Sequence, residues 1–392
     1  MSIKDRVAVI GVGCTKFGEL FDMSYEDLAV EAAFEALADA NISPEDIEAT
    51  WLGTEMPSTG NSEGRTGASL ANYLKLGQGP VTRVANYCAT GTDSFRNACF
   101  AVACGAYKIA LVIGVEKMRD VESRSLINGY VEWGHPLYGK GNTLPGMFAL
   151  SATRYFSQYE AKKEHLAKIA VKNHYNGSLN PKAHFQKAID FERALKAPMV
   201  AEPLGLFDCC PTTDGGAAAV ICSADIAADF KKDYVLVKGT GLATGRDGRF
   251  HQGNQFAGFQ TTFQAAGQAY KEAGITDPRR EINFGEIHDC FTITELLTYE
   301  GLGFCEVGGA ARFIDEGTNL LDGSLPCNTS GGLKSCGHPI GATGVRQIGE
   351  VTNQILGRAD KRQVKNARTG LAHNIGLGVC GEVACVVVLG AK

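Results

Sequence analysis

Four side chains in this sequence combine reactive chemistry with backbone settings that hold them in place. Cys88 lies in VANYCATGTDSF, between a strand-like run and a helix-period segment whose apolar stripe is Phe95, Cys99, Val102 and Ala103. A helix N-terminus presents unpaired N–H groups and partial positive charge, and both lower the cost of a thiolate. By position alone Cys88 is equally a small buried residue at a tight strand–helix junction. His338, in SGGLKSCGHPIGATG, is fixed by Gly337 before it and Pro339 after it, with Gly341 and Gly344 permitting close backbone approach. A histidine held in such a turn suits general-base work near neutral pH. His288 and Cys290 stand in FGEIHDCFTITELL, at a strand end and helix start, where open α/β sheets place their sites. There a histidine can donate to a developing oxyanion and a cysteine can carry a proton. Asp289 reads as a cap for a helix beginning at Phe291.

Positioning these residues requires a scaffold, and the sequence describes one twice. A strand-like run at 7–10 closed by glycine precedes the helix-period segment LAVEAAFEALADANI, with Leu28, Ala32, Ala36 and Leu37 on one stripe. YVLVKGTG at Tyr234 and FQAAGQAYKEAGI repeat that order. Each half then offers a Gly- and Thr-containing turn that opens a helix, and each closes in a β-branched run, at 109–115 and at 383–389. We therefore expect a duplicated α/β unit with halves 1–233 and 234–392. The Tyr-, His-, Lys- and Asn-rich segment near 117–201 reads as an inserted loop domain serving binding or subunit contact, or as plain surface elaboration.

Composition narrows the function further. A chain of 392 residues with 44% hydrophobic and 21% charged residues is globular and large enough for several domains. Its formal charge of −5 gives no reason to expect nucleic acid or an anionic membrane. Thirteen cysteines without a CxxC pair, behind an N-terminus lacking a signal-peptide pattern, fit reduced thiols in the cytoplasm and no metal site. Gly376-x-Gly378-x-x-Gly381 matches a dinucleotide fingerprint by letter, yet it opens a β-branched run instead of a helix. Nicotinamide and flavin cofactors are excluded on that ground.

Taken together, GGLKSCGHPIGATG, HDCF at 288–291, the Cys88 segment, DCCPTTDGGAAAV from Asp208 and the insertion (FALSATRYFSQY, NHYNGSLNP) resemble the thiolases over nearly the whole chain. The resemblance is nearer to the branch related to the sterol-carrier-protein thiolases. It implies a five-layered αβαβα fold and an acyltransferase using coenzyme A as substrate, with no permanently bound cofactor. Cys88 would carry the acyl group and His338 would activate it, sharing one oxyanion hole with His288. The backbone N–H groups of Cys88 and Gly376 would form a second hole. Most thiolases carry a second catalytic cysteine in a Cys-x-Gly motif, where this chain has Asn374. Cys290 is expected to replace it, with Cys380 as the alternative. The resemblance also implies a homodimer or larger assembly and a small zinc-ribbon/OB-fold partner protein. The acyl group, whether small, branched or aromatic, is left open. So are a retro-aldolase of 3-hydroxyacyl-CoA, an acyltransferase to a non-CoA acceptor and a catalytically silent scaffold.

Overall fold

The computed structural model describes residues 2–56, 67–122, 141–245, 259–377 and 381–392. The first strand, β1 (Val7–Cys14), and the helix after it, α1 (Tyr25–Ala40), show how the scaffold is assembled. Ser24 and Asp27 form a capping box at the start of α1, and Asn41 ends it in a left-handed conformation. Leu28, Ala29, Ala32, Ala33, Ala36 and Leu37 make its buried face. The helix lies almost directly on the strand. A Cβ at Gly11 or Gly13 would stand 2.2 Å from the carbonyl oxygen of Ala36 or Ala32. The same device recurs in the second half. Gly239 and Gly241 of β8 (Val235–Thr244) would meet the carbonyls of Ala269 and Ala265 at 2.4 and 2.0 Å. A glycine pair with strand spacing thus seats one helix in each half.

The remaining strands of the first half are β2 (Ala49–Gly53), β3 (Val81–Val84), β4 (Ile109–Glu116) and β7 (Gly215–Ser223). Those of the second are β9 (Phe284–Glu286), β10 (Thr369–Leu377) and β11 (Glu382–Ala391), and β5 (Met199–Ala201) pairs with β6 (Leu204–Gly205) outside the main sheet. The nine sheet strands run in the order β3-β2-β4-β7-β1-β8-β11-β10-β9. The first half pairs β2 with β4 in parallel, then β4 with β7 and β7 with β1 antiparallel. The second pairs β9 with β10 in parallel, then β10 with β11 and β11 with β8 antiparallel. The fold is therefore duplicated. The halves meet edge to edge through the short pairing Ala8↔Leu236 and Val9↔Val235.

Two helices, α2 (Thr90–Ala103) and α7 (Ile340–Ile355), fill the centre. Phe95, Cys99 and Val102 of α2 and Val345, Ile348 and Val351 of α7 share one core with strands of both halves. Their contact is tight because glycines meet there. A Cβ on Gly91 would lie 2.6 Å from the Gly341 oxygen, and one on Gly344 would lie 2.3 Å from the Thr92 nitrogen. A second core under α1 covers the outer face of the first half. A third, under α5 (Gln260–Ala273) and α6 (Thr292–Gly301), covers the second. Helix, sheet, central helices, sheet and helix make five αβαβα layers.

The insertion contributes α3 (Leu144–Gln158) and α4 (Lys163–Ser178). Helix α4 docks through buried polar side chains. Lys172 pairs with Glu295 and donates to the Cys327 carbonyl at 2.7 Å, and Asn173 donates to Asp289 at 2.7 Å and to Glu295 at 2.6 Å. Burying such groups is tolerable only when they are partnered. This network corrects the reading of Asp289. It does not cap α6, whose N-cap is Phe291 with no side-chain cap. Its carboxylate instead accepts from the backbone of Leu333 at 2.6 Å and Lys334 at 3.2 Å, capping the single helical turn Gly332–Ser335 before His338.

Candidate active site

Cys88 sits in a strained turn between β3 and α2. Tyr87 before it adopts φ +48, a left-handed conformation uncommon outside glycine. Ala89 is the N-cap of α2, so the sulfur stands at the mouth of that helix. The turn is closed by Thr90, whose hydroxyl accepts from Asn86 N–H at 2.7 Å and lies 2.6 Å from the Tyr87 carbonyl. Gly376 of β10 lies against the same turn, and a Cβ there would be 2.9 Å from Cys88 N and 2.5 Å from the Tyr87 Cβ. Any larger residue at 376 would push the turn away.

His338 and His288 arrive from two other elements. His338 follows Gly337, at φ +106, and leads through Pro339 into α7. His288 follows β9 at its C-terminal end. Cys88 Sγ and one ring nitrogen from each histidine lie within 4.8 Å of one another. The two rings meet edge to face, with centroids 5.1 Å apart. These three donors are also a set that a soft metal cation could occupy.

Hydrogen bonding assigns the two rings opposite tautomers. Thr343 donates its only hydroxyl hydrogen to the Pro339 carbonyl at 2.9 Å, so its oxygen accepts from His338 Nδ1–H at 2.7 Å. Nε2 of His338 therefore carries a lone pair, and among the described residues it has no hydrogen-bond partner. For His288 the amide of Asn374 donates to Nδ1 at 3.1 Å. Its Nε2 therefore carries the hydrogen, again without a hydrogen-bond partner among the described residues. Burial, reinforced by Arg346, pushes His338 down to about 3. Burial and then the charges of His338, His373 and Arg346 hold His288 well below its ordinary value. Both rings are neutral near pH 7, one offering a base and the other a hydrogen-bond donor.

Cys88, His338 and Cys290 line one cavity of about 270 Å³. Its apolar walls include Phe148, Val200, Leu206, Phe291 and Leu377. Phe148 of α3 stacks on Phe291 with centroids 4.4 Å apart, so the insertion supplies one wall. Burial, followed by the proximity of Cys88, raises the Cys290 thiol well above its ordinary value, and Thr294 Oγ1 lies 3.6 Å from it. This thiol keeps its proton at neutral pH. Asn374 is fully buried beside His288. Cys380 and Gly378 lie outside the described residues. Beyond Leu377 the chain returns antiparallel in β11, so no helix follows the glycine pattern there. Sequence reasoning quoted the segments that hold Thr343, Phe148, Cys209 and Cys210 but gave these residues no role in the site, and it missed the walls at Leu144, Val200 and Leu206 altogether. The twelve described cysteines form no disulfide. Among the described residues, no helix is long and apolar enough to cross a membrane.

Comparison with known proteins agrees with this architecture. Residues 7–225 match the family model for the thiolase N-terminal domain, and 243–391 match that for a thiolase C-terminal domain-like region. The chain is 39% identical over 381 residues to an acetyl-CoA acetyltransferase of Methanothermobacter thermautotrophicus, covering 96% of this chain and 98% of that one. It is 35% identical to human sterol carrier protein 2, covering 95% of this chain and 70% of the relative. Among solved structures, an Ltp2-ChsH2(DUF35) aldolase superposes with a TM-score of 0.85 at 27% identity, covering 99% of this chain and 98% of that one. Human mitochondrial 3-ketoacyl-CoA thiolase, at 16% identity and TM-score 0.74 over the full length of both chains, shares the fold. The chain belongs to the thiolase family. It is an enzyme of the acyltransferase class.

Proposed function

We propose that this enzyme cleaves or forms a 3-oxoacyl-CoA by Claisen chemistry through an acyl-Cys88 intermediate. The observation that carries the reading is the meeting of Cys88 Sγ with two oppositely protonated imidazoles. In the degradative direction, His338 Nε2 takes the Cys88 proton, and the imidazolium it forms is stabilised by the adjacent thiolate. The thiolate attacks the keto carbon of the substrate. The Cα–Cβ bond breaks, leaving the acyl group on sulfur and an enolate of the departing thioester. His288 Nε2–H donates to the enolate oxygen, with His338 completing that hole. Cys290 protonates the enolate carbon. Its thiolate then takes the proton of incoming CoA, whose sulfur attacks the acyl-enzyme. The tetrahedral oxygen formed on attack is held by the N–H groups of Cys88 and Gly376. Cys88 leaves as thiolate and recovers its proton from His338. Splitting the reaction in two lowers each barrier.

The apolar cavity supports an acyl group larger than acetyl, including a branched or aromatic one. We read 1–233 and 234–392 as the two halves, with 117–201 inserted, in a cytoplasmic homodimer or larger assembly. A small zinc-ribbon/OB-fold partner is supported by the DUF35 component of the similar aldolase structure. Two assays test the reading. A panel of 3-oxoacyl-CoAs, each with CoA, is scored by mass spectrometry for products and for Cys88 adducts. Cys88→Ala should abolish the adduct and lower turnover by at least about 10⁴-fold, as loss of a nucleophile does elsewhere. Near-normal turnover in that variant would defeat the proposal. The similarity to the aldolase favours a second reading, retro-aldol cleavage of a 3-hydroxyacyl-CoA. That reaction needs no thiol acceptor, so cleavage independent of added CoA would select it. The presence of Cys88 favours the thiolase reaction.

A further inference from the structure

Glu55 follows β2 and lies half-buried against the Cys88 turn. Its Oε2 is 3.1 Å from the Thr90 hydroxyl, and the Tyr87 backbone N–H donates to the same carboxylate. Tyr87 and Thr90 flank Cys88 on either side, and Thr90 is itself tied to Asn86 and Tyr87. Glu55, Tyr87, Thr90 and Asn86 thus form a ring of polar contacts around the nucleophile's backbone, in which the single Thr90 hydroxyl hydrogen is shared between Glu55 and the Tyr87 carbonyl. The ring holds Tyr87 in its left-handed conformation, which costs on the order of 1 kcal/mol for a bulky residue.

A second carboxylate extends the ring to the base. Glu116, at the end of β4 and fully buried, accepts from Glu55 N and Met56 N at 3.0 Å each and from the Thr54 hydroxyl at 3.1 Å. It also accepts from Gly341 N at 2.9 Å, in the first turn of α7 just beyond His338. The turn carrying Cys88 and the turn carrying His338 are therefore fastened to one pair of acidic side chains. Burial raises the Glu55 carboxyl to about 7, with the Thr90 hydroxyl opposing, Glu116 adding, and the Tyr87 N–H and Arg83 opposing. Placing two carboxyl groups this close is costly, and backbone donors that happen to frame the nucleophile offset it.

We propose that Glu55 is a positioning residue, whose carboxylate clamps both flanks of Cys88, while its backbone N–H, held by Glu116, ties that clamp to the turn carrying His338. The proposal rests on Cys88 being the nucleophile. It implies that loss of the clamp lowers the reactivity of the sulfur more than it lowers substrate affinity, because displacement of about 1 Å in a reacting group costs about a hundredfold.

The test compares Glu55→Ala, Glu55→Gln and Thr90→Val with the full-length enzyme. Three readouts are used: kcat and KM for the best 3-oxoacyl-CoA, the rate of iodoacetamide alkylation at Cys88 by mass spectrometry, and the urea midpoint. Glu55→Ala should lower kcat by about 10- to 100-fold and slow alkylation, with KM changed by less than about threefold. Glu55→Gln keeps an acceptor oxygen and should recover most of both losses. Thr90→Val breaks the ring from the other side with little change in shape. It should reproduce the direction of the effect, and it carries the test if Glu55→Ala does not fold. Wild-type kcat and alkylation in a merely less stable Glu55→Ala or Thr90→Val would overturn the proposal. So would a Gln variant no better than Ala. A wild type that turns over no 3-oxoacyl-CoA would defeat the thiolase reading, while the alkylation comparison would still decide the clamp.

Discussion

Replacing Thr343 by valine isolates the tautomer of His338 from every other feature of the site. The residue is fully buried in the first turn of α7, and valine preserves its shape. The change removes the oxygen that accepts from His338 Nδ1–H at 2.7 Å. A buried N–H left without a partner costs about 1–3 kcal/mol. The ring relieves that cost by moving its hydrogen to Nε2, which can then no longer accept the thiol proton. At about 1.4 kcal/mol per tenfold, the base-competent population falls by about 5- to 150-fold. The kcat for 3-oxoacyl-CoA thiolysis should fall by that factor across about pH 6 to 9, with KM little changed. Stability should fall by about 1 kcal/mol from the bond lost at Pro339, whose carbonyl now accepts at 2.9 Å. Thr343→Ser keeps the hydroxyl and should retain most of the rate. If Thr343→Val loses stability but turns over like the wild type, or if the serine variant is as slow as valine, the assignment is wrong.

Further outcomes follow from the same geometry. His288→Ala removes a donor whose Nε2 has no hydrogen-bond partner among the described residues, and kcat should drop about 10²- to 10³-fold, measured at saturating substrate. His338 is neutral in the fold, its value lowered to about 3 from 6.5, so between those values the unfolded chain binds a proton that the native protein does not. Its contribution therefore rises with pH in that window and is lost progressively as pH falls from 6.5 toward about 3. Urea unfolding of His338→Asn should show a slope shallower than the wild type's by about 1.4 kcal/mol per pH unit there; parallel slopes would contradict the buried neutral ring. Gly344→Ala places a Cβ 2.3 Å from Thr92 N and 2.8 Å from Asn374 Oδ1. It should cost about 1–3 kcal/mol in denaturant titrations and slow turnover by disturbing the partner of His288.

Much of the scaffold was legible because its causes are local. Glycine pairs within β1 and β8, helix-period stripes in α1 and α2, and the GHPIGATG turn each carry a signature within a dozen residues. Two copies of one strand–helix order are enough to indicate a duplicated α/β fold, and the quoted motifs together pointed to the thiolases. Asp289 shows where such reading stops. As a polar residue before a helix it looks like that helix's cap, but its carboxylate serves the turn at Gly332–Ser335, more than forty positions away. The hydrogen that chooses between base and donor on each imidazole is set by Thr343 and Asn374, the latter far along the chain from His288. Glu55 meets Thr90 only because β2 ends beside α2. Chemistry-bearing residue types and the turns that hold them are written in short stretches of sequence, since φ/ψ preferences and periodicity act over a few residues. Proton placement, cavity walls and the fastening of nucleophile to base depend in large part on hydrogen bonds between distant segments, and only the packed tertiary structure brings those segments within hydrogen-bonding distance.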